Sequence, residues 1–118
     1  SERIIPLCGQ ALWAAERMVA SDHTSKFAFP RYNRHSITKA NSASAALNKW
    51  LKQYVPNRCT LHCFRHSMRD RLRSVQCPAD IADQIGGWTT NGVGQGYGSG
   101  YPLNVLNEWV EKALVGLD

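Results

Sequence analysis

The feature that most constrains the fold is a repeated spacing of apolar residues at steps of three and four. Leu61, Phe64, Met68, Leu72 and Val75 follow this spacing, which places them on one face of a helix that Thr60 is suited to cap. Further helices are predicted over residues 11–19, after a cap at Asn41 or Ser42, after Pro78 and after Pro102. A short strand is predicted over residues 4–7. We therefore expect a mainly α fold, with at most short strands near the N-terminus.

The composition favours a packed, soluble protein. Hydrophobic residues make up 43% of the 118 residues, which is enough for a core. No stretch approaches the roughly 18 consecutive apolar residues that a membrane-spanning helix needs, and the first residues do not resemble a signal peptide. We therefore expect a cytoplasmic protein with no membrane partner.

The cysteines do not indicate a disulfide framework or a metal site. The chain has four cysteines and no C-x-x-C pair, so reduced and mostly buried thiols are expected. The cluster of Cys59, His62, Cys63 and His66 contains potential zinc ligands, but its spacing corresponds to no common zinc module.

The distribution of charge points to a polyanion. The formal net charge is +5, and no acidic residue lies between Asp22 and Asp70. Carboxylates in such a tract would repel phosphates, so their absence favours nucleic acid as a partner. The alternative is a solvated basic face. The basic residues of the tract are Lys26, Arg31, Arg34, Lys39, Lys49, Lys52, Arg58, Arg65 and Arg69.

Three features carry possible chemistry. His62 and Arg65 form an H-x-x-R on one helix face, where an imidazole can move a proton and a guanidinium can bind two phosphate oxygens. Trp88 follows two glycines, and Tyr97 comes nine residues later on a glycine-rich tether that is expected to be mobile. Each has an ordinary alternative: a structural histidine, a core tryptophan and a loop tyrosine. Tyr101 is a rival nucleophile.

The order of these features resembles the signature of the tyrosine recombinases, the phage-integrase family. The family's H-x-L-R-H-[TS] segment is similar to LHCFRHS at residues 61–67, with phenylalanine where leucine is usual. Its L-G-[HW] segment is similar to IGGW at residues 85–88, and its R-x-[IV]-P-L strand is similar to RIIPL at residues 3–7. The ordered set covers most of the chain and is far more specific than H-x-x-R alone. It implies the helical C-terminal portion of the recombinase catalytic domain.

The resemblance implies a role for each of four residues. Tyr97 attacks the scissile phosphate and forms a 3′-phosphotyrosine link, which conserves the bond energy, so no ATP, metal or other cofactor is needed. Arg65 holds the non-bridging oxygens, and His62 assists proton transfer and orients the phosphate. Trp88 donates its indole N–H to the phosphate but cannot shuttle a proton. The implied function is site-specific DNA recombination, as in phage or prophage integration and excision in a bacterial host.

The resemblance also implies parts that this chain does not contain. The family site needs an upstream arginine, in a segment like G-x-R-x-x-E, and a lysine on a β-hairpin, and neither segment is present. We therefore interpret residues 1–118 as the C-terminal half of a catalytic domain, with an N-terminal DNA-binding domain also expected upstream. One lost phosphate donor costs about 100- to 1000-fold, so this chain alone is expected to be inactive or very weak.

Contacts with double-stranded attachment-site DNA are predicted mainly near the start of the second helix. A helix N-terminus with hydroxyl and amide groups suits a phosphate, although Asn41 and Ser42 could be caps only. The predicted contacts are Lys39, Asn41, Ser42, Ser44, Lys49 and Arg69, of which Arg69 is equally expected to be solvated. The apolar face of the helix from Leu103 packs either on its own domain or, as the resemblance implies, on a neighbour in a homotetramer.

Other functional classes stay open. A non-catalytic DNA- or RNA-binding module would use the basic tract but would not need the nine-residue step from Trp88 to Tyr97. A helical protein-interaction domain is disfavoured by the acid-free tract. A type IB topoisomerase is disfavoured by the compact step and the integrase-like flanks.

Overall fold

The fold is mainly helical, as the apolar spacing predicted, and the described residues also contain one short hairpin. The computed structural model describes residues 2–21, 24–89 and 100–116. No helix in these ranges is both long and apolar enough to span a bilayer. In chain order the elements are α1 (Gly9–Ala20), a 3-10 turn (Pro30–Tyr32), β1 (Asn33–Arg34), β2 (Ile37–Thr38), α2 (Ala40–Leu51), α3 (Leu61–Ser74), α4 (Ala79–Gly86) and α5 (Leu103–Leu114).

The chain divides into two compact units. Unit 1 comprises Ser1–Ala15 and Arg65–Asp118, and unit 2 comprises Glu16–Phe64. Both boundaries fall inside helices, in α1 and in α3.

The apolar stripes of α3, α4 and α5 form the core of unit 1. Leu72 and Leu106 are fully enclosed, and burying a leucine in this way stabilises a fold by about 1.5–3 kcal/mol. The other buried members of the cluster are Cys8, Ile81, Ile85, Val110 and Ala113. The apolar face of α5 therefore packs on its own domain in this chain.

The N-terminal segment joins this core without forming a strand. The strand predicted over residues 4–7 is absent, because an extended segment becomes a strand only beside a partner strand, and Pro6 has no N–H for a ladder. The segment is anchored instead at Cys8, whose Sγ donates to the Oδ1 of Asn107 at 3.0 Å. Burial, with a smaller contribution from the charge of Glu111, raises the pKa of this thiol.

The expectation of mostly buried thiols is only partly right. All four thiols are free, and Cys8 is buried, whereas Cys59, Cys63 and Cys77 are half-buried. The three half-buried thiols lie near helix ends, where the chain leaves the packed interior.

A short antiparallel hairpin in unit 2 joins β1 to β2 over residues 33–38. Asn33 pairs with Thr38 across the two strands, and the hydroxyl of Thr38 donates to the Oδ1 of Asn33 at 2.9 Å. His35 and Ser36 both have positive φ, 51° and 62°, as a two-residue type I′ turn requires. The turn escaped prediction because neither residue is the usual asparagine or glycine.

Helix α2 begins earlier than predicted and buries less. Its N-cap is Lys39, which makes no side-chain capping hydrogen bond, so Asn41 and Ser42 lie inside the first turn and are not the cap. Of its apolar face only Leu51 is buried, whereas Leu47 and Trp50 are exposed. The apolar spacing therefore predicted the helix correctly, but it could not show how much of the face would be covered.

Candidate active site

Helix α3 carries two arginines one turn apart in the chain. Arg65 and Arg69 stand at positions i and i+4, which share a helix face, and both are half-buried. The adjacent stripe of α3 buries Leu72, with Met68 packed against the core. Core packing therefore sets the rotation of the helix and with it the direction of the two guanidinium groups.

Arg65 is held by the chain that ends α4. Its Nη1 donates to the carbonyl oxygen of Gly86 at 2.5 Å, and its Cζ lies 4.8 Å from the centre of the Trp88 ring. The Cζ of Arg69 lies 5.5 Å from the same ring. The structure thus brings together Arg65, Trp88 and Arg69, which are separated by up to 23 positions in the chain.

The two glycines before Trp88 have different roles. Gly87 is the C-cap of α4 in the left-handed region, with φ of 65°, and its N–H donates to the carbonyl oxygen of Asp83. Gly86 has ordinary helical geometry, but a Cβ at this position would lie 2.0 Å from carbons of the Trp88 ring. The indole therefore folds back over Gly86 because that residue has no side chain.

Trp88 has features of both interpretations made from the sequence. Its ring is half-buried and packs against the hydrophobic cluster of unit 1, as a core tryptophan does. The same ring contacts two cations, which an ordinary core tryptophan does not need. Trp88 therefore contacts both the core of unit 1 and the two arginines of the candidate site.

Arg3 and Asp83 belong to this region, and sequence reasoning gave neither of them such a role. The Nε of Arg3 donates to the carbonyl oxygen of Ile85 at 3.1 Å, so it satisfies one of the free carbonyls at the end of α4. Asp83 is buried, and its Oδ2 has no hydrogen-bond partner among the residues that the structure describes. Neither role could be predicted from the local sequence. Arg3 lies far in the chain from Ile85, to which it donates, and Asp83 interrupts the otherwise apolar buried face of α4.

An apolar cavity lies beside Arg65. It has a volume of about 640 Å³ and is lined by the N-terminal segment, α3, α4 and α5, including Leu7, Met68 and Val110. Arg65 is the only charged residue in its lining within the described part of the chain. A cation with apolar groups on one side is less screened by water, so it attracts an anion more strongly than a fully solvated arginine would.

His62 and His66 are both exposed on α3. His62 lies in the first turn, three positions before Arg65, as the H-x-x-R reading requires. His66 is exposed because its position on the helix turns away from the stripe that contains Leu72.

The first turn of α3 also affects a neighbouring thiol. The Oδ1 of Asn48 accepts a hydrogen bond from the N–H of Leu61 at 2.8 Å and so satisfies one free donor of the helix start. The N–H of Thr60 donates to the Sγ of Cys63 at 3.3 Å, and this bond lowers the pKa of the thiol.

Tyr97 and most of the glycine-rich segment lie outside the described residues. Tyr101, the rival nucleophile, is described and is held by α4. Its hydroxyl donates to the Oδ2 of Asp80, and its backbone exchanges two hydrogen bonds with the side chain of Gln84, at 2.8 and 3.1 Å. The hydrogen bond to Asp80 raises the pKa of Tyr101, and desolvation and the charge of Asp80 raise it further.

The predicted DNA contacts on α2 are all exposed. Lys39, Asn41 and Ser42 lie at its N-terminal end, and Ser44 and Lys49 follow along the helix. Because Asn41 and Ser42 are not caps, their side chains are not used to hold the helix start. These residues belong to unit 2, whereas Arg69 belongs to unit 1.

Comparison with family models, curated proteins and solved structures found no match to this chain. Among the described residues, no group of three His, Cys, Asp or Glu side chains is placed to hold a metal ion.

Proposed function

We propose that this protein is part of a tyrosine recombinase that cleaves and rejoins DNA through Tyr97. The observation that carries the proposal is the contact of Arg65 with Gly86 and Trp88. These residues come from the two motifs that, with Tyr97, define the resemblance, and they meet in space although 21 or more positions separate them. A phosphate site of this kind needs the two motifs to lie close together, and the contact at Arg65 meets that requirement.

The proposed reaction follows from the groups present. The Oη of Tyr97 attacks the scissile phosphorus, the bond to the 5′ oxygen breaks, and a 3′-phosphotyrosine and a 5′-hydroxyl form. Arg65 stabilises the charge that develops on the non-bridging oxygens, and His62 takes part in the proton transfers. A free 5′-hydroxyl of the partner strand reverses the step, so strands are exchanged without ATP.

The surroundings of Tyr101 support Tyr97 as the nucleophile. A phenol must lose its proton to attack phosphorus well, and the contact with Asp80 favours the protonated form of Tyr101. Two hydrogen bonds with the side chain of Gln84 also hold the backbone of Tyr101 against α4.

The proposal extends to the parent protein. It would act on double-stranded attachment sites as a homotetramer in the cytoplasm of a bacterial host, in phage or prophage integration. The family signature also contains a further arginine and a lysine, in segments that residues 1–118 do not contain. The 118-residue chain alone is therefore expected to cleave DNA very weakly or not at all, since each missing phosphate donor costs about 100- to 1000-fold.

Covalent trapping tests the proposal. A parent chain that includes the expected upstream residues is mixed with a nicked suicide DNA that carries its attachment site. The protein–DNA adduct is measured for the wild type, for Tyr97→Phe and for the matched control Tyr101→Phe. The expected result is an adduct that Tyr97→Phe abolishes and Tyr101→Phe preserves.

Two results would contradict the proposal in different ways. An adduct that persists in Tyr97→Phe and disappears in Tyr101→Phe would move the nucleophile to Tyr101. DNA binding without any adduct would favour a non-catalytic nucleic-acid-binding module, which the basic tract alone is able to support.

A further inference from the structure

Two guanidinium groups lie against one indole ring. The Cζ of Arg65 is 4.8 Å from the centre of the Trp88 ring, and the Cζ of Arg69 is 5.5 Å from it. All three side chains are half-buried, so water screens these cation–π contacts less than it would at an open surface. The ring therefore helps to determine where both arginines point.

No carboxylate neutralises this pair within residues 2–21, 24–89 and 100–116. The hydrogen bond of Arg65 goes to the uncharged carbonyl of Gly86, and the ring contact of Arg69 is with the uncharged indole. Two like charges near one ring repel each other, and the negative face of the ring offsets only part of that repulsion. An anion that accepts hydrogen bonds from both guanidinium groups would offset the remaining repulsion.

A phosphodiester has the chemistry that this pair requires. It carries one negative charge over two non-bridging oxygens, and guanidinium groups bind such oxygens with two parallel N–H donors. The carbonyl of Gly86 engages only part of the donor set of Arg65, because a guanidinium has five N–H donors.

The ring itself is held in place by the chain. It closes over Gly86, where a Cβ would lie 2.0 Å from ring carbons, and it packs against the core cluster of unit 1. A rigid ring is a suitable support, because it fixes the two arginines before the phosphate arrives.

We propose that Trp88 is a positioning residue that acts through the face of its ring, holding Arg65 and Arg69 as a pair that binds one DNA phosphate. The inference rests on the proposed function and adds Arg69 to the phosphate site. It differs from the role that the resemblance implies, in which the indole N–H donates to the phosphate.

Substitutions at position 88 distinguish a role of the aromatic ring face from a role of the indole N–H. Phenylalanine keeps an aromatic face and has no N–H, histidine keeps an N–H but has a poorer face, and leucine has neither. Trp88→Phe is expected to keep about a third or more of the single-turnover cleavage rate, whereas Trp88→Leu and Trp88→His lose about 10- to 100-fold through misplaced arginines. Cleavage is measured with the parent chain at saturating suicide DNA, and circular dichroism checks that each variant folds.

The role of Arg69 is tested by its salt dependence. For Arg69→Gln, the slope of log affinity for DNA against log salt concentration should fall by about one, as for the loss of one phosphate contact. Arg73→Gln, which removes an exposed arginine of the same helix, is the matched control and should change the cleavage rate by less than about twofold.

Fluorinated tryptophan tests the ring face without changing its shape. Fluorine withdraws charge from the ring, so cleavage should slow stepwise as fluorines are added. The chain has four tryptophans, so Trp88→Phe with the same fluorinated residue at its other three tryptophans is the control, and its rate should stay constant.

The outcomes distinguish this inference from the proposed function. A wild-type adduct together with an active Trp88→His and an inactive Trp88→Phe would overturn the inference and restore the donor role. A cleavage rate that does not change with fluorination would overturn it as well. A wild-type chain that binds DNA but never forms an adduct would overturn the proposed function, and the salt slope of Arg69→Gln would then decide whether the pair binds phosphate.

Discussion

Arg65 is restrained from two sides before any ligand is bound. Its Nη1 donates to Gly86, and its guanidinium group lies over Trp88. A long side chain that is already ordered loses less conformational entropy when it binds an anion. Under the proposed function, binding energy would then be available for the charge that develops in the transition state, where it accelerates the reaction.

The cysteines show how single contacts tune reactivity. The N–H of Thr60 lowers the pKa of Cys63, whereas desolvation raises the pKa of Cys8 and of Cys77, with smaller effects from Glu111 and Asp80 respectively. The thiolate is the reactive form, so a lower pKa gives a larger reactive fraction at a given pH below that pKa.

Cys63 should therefore be alkylated before Cys8 and Cys77. At pH 7.5 and limiting iodoacetamide we expect a rate about fivefold or more above that of either, and the ratio should shrink as the pH rises past the pKa values of the slower thiols. Mass spectrometry of tryptic peptides measures the rates. Trypsin leaves Cys59 and Cys63 in one peptide, so Cys63→Ser is the control, and preferential labelling of Cys77 would contradict the prediction.

At the scale of elements, the end of α4 joins the core to the candidate site. Gly87 ends the helix through a positive φ, and Gly86 leaves room for the ring of Trp88. A Cβ at position 87 would meet the guanidinium of Arg3 at 2.7 Å, and this is the far end of a flexible side chain that can move. The two glycines are therefore required for different reasons.

Alanine substitutions should separate these two requirements. Gly86→Ala is expected to displace the Trp88 ring and to lower the free energy of unfolding by about 1–3 kcal/mol, as overpacking does. Gly87→Ala should cost about 1–2 kcal/mol through its left-handed backbone, while the ring stays in place. Urea denaturation measures both costs.

Nuclear magnetic resonance reports the position of the ring in these variants. The ring current of Trp88 should shift the Nε–H resonance of Arg65, and this shift should be lost in Gly86→Ala and kept in Gly87→Ala. A shift that survives in Gly86→Ala would show that the ring does not depend on the missing Cβ.

At the scale of the whole molecule, positive charge is concentrated in unit 2. That unit carries eight lysines and arginines against two acidic residues, whereas unit 1 carries six against seven. Under the proposed function, long-range attraction of DNA would arise mainly from unit 2, because the formal charge of unit 1 is close to neutral. In the proposed site, Arg65 and Arg69 would act at short range from their positions against the Trp88 ring.

Removing charge from α2 should weaken DNA binding in a salt-dependent way. The double substitution Lys39→Gln and Lys49→Gln is expected to lower the salt slope of DNA affinity by about two, without loss of fold, since both side chains are exposed. The control is Lys112→Gln in unit 1, whose amine lies 4.3 Å from the Trp109 ring. Fluorescence anisotropy at several salt concentrations measures the slopes, and an equal effect of the control would contradict the prediction.

The helices of this protein could be predicted from the sequence because their signals are local. The spacing of Met68 and Leu72 indicates a buried stripe wherever the helix packs, and Pro78 and Pro102 precede helices because proline suits a helix start. Gly87 ends α4 because a left-handed residue is needed there. Of the candidate site, the motifs around Arg65 and Trp88 could be recognised in the same way, as residue types at fixed spacing.

The remaining features depend on what lies opposite in space. Residues 4–7 form no strand because no strand pairs with them, and Trp50 is exposed although it lies on the apolar face of α2. An apolar pattern shows which face would be buried but not whether anything covers it. The stacking of Arg65 and Arg69 on Trp88 was decided in the same way, by the packing of α4 against α3 and by the missing Cβ of Gly86, because a contact between distant residues exists only once both helices are in place.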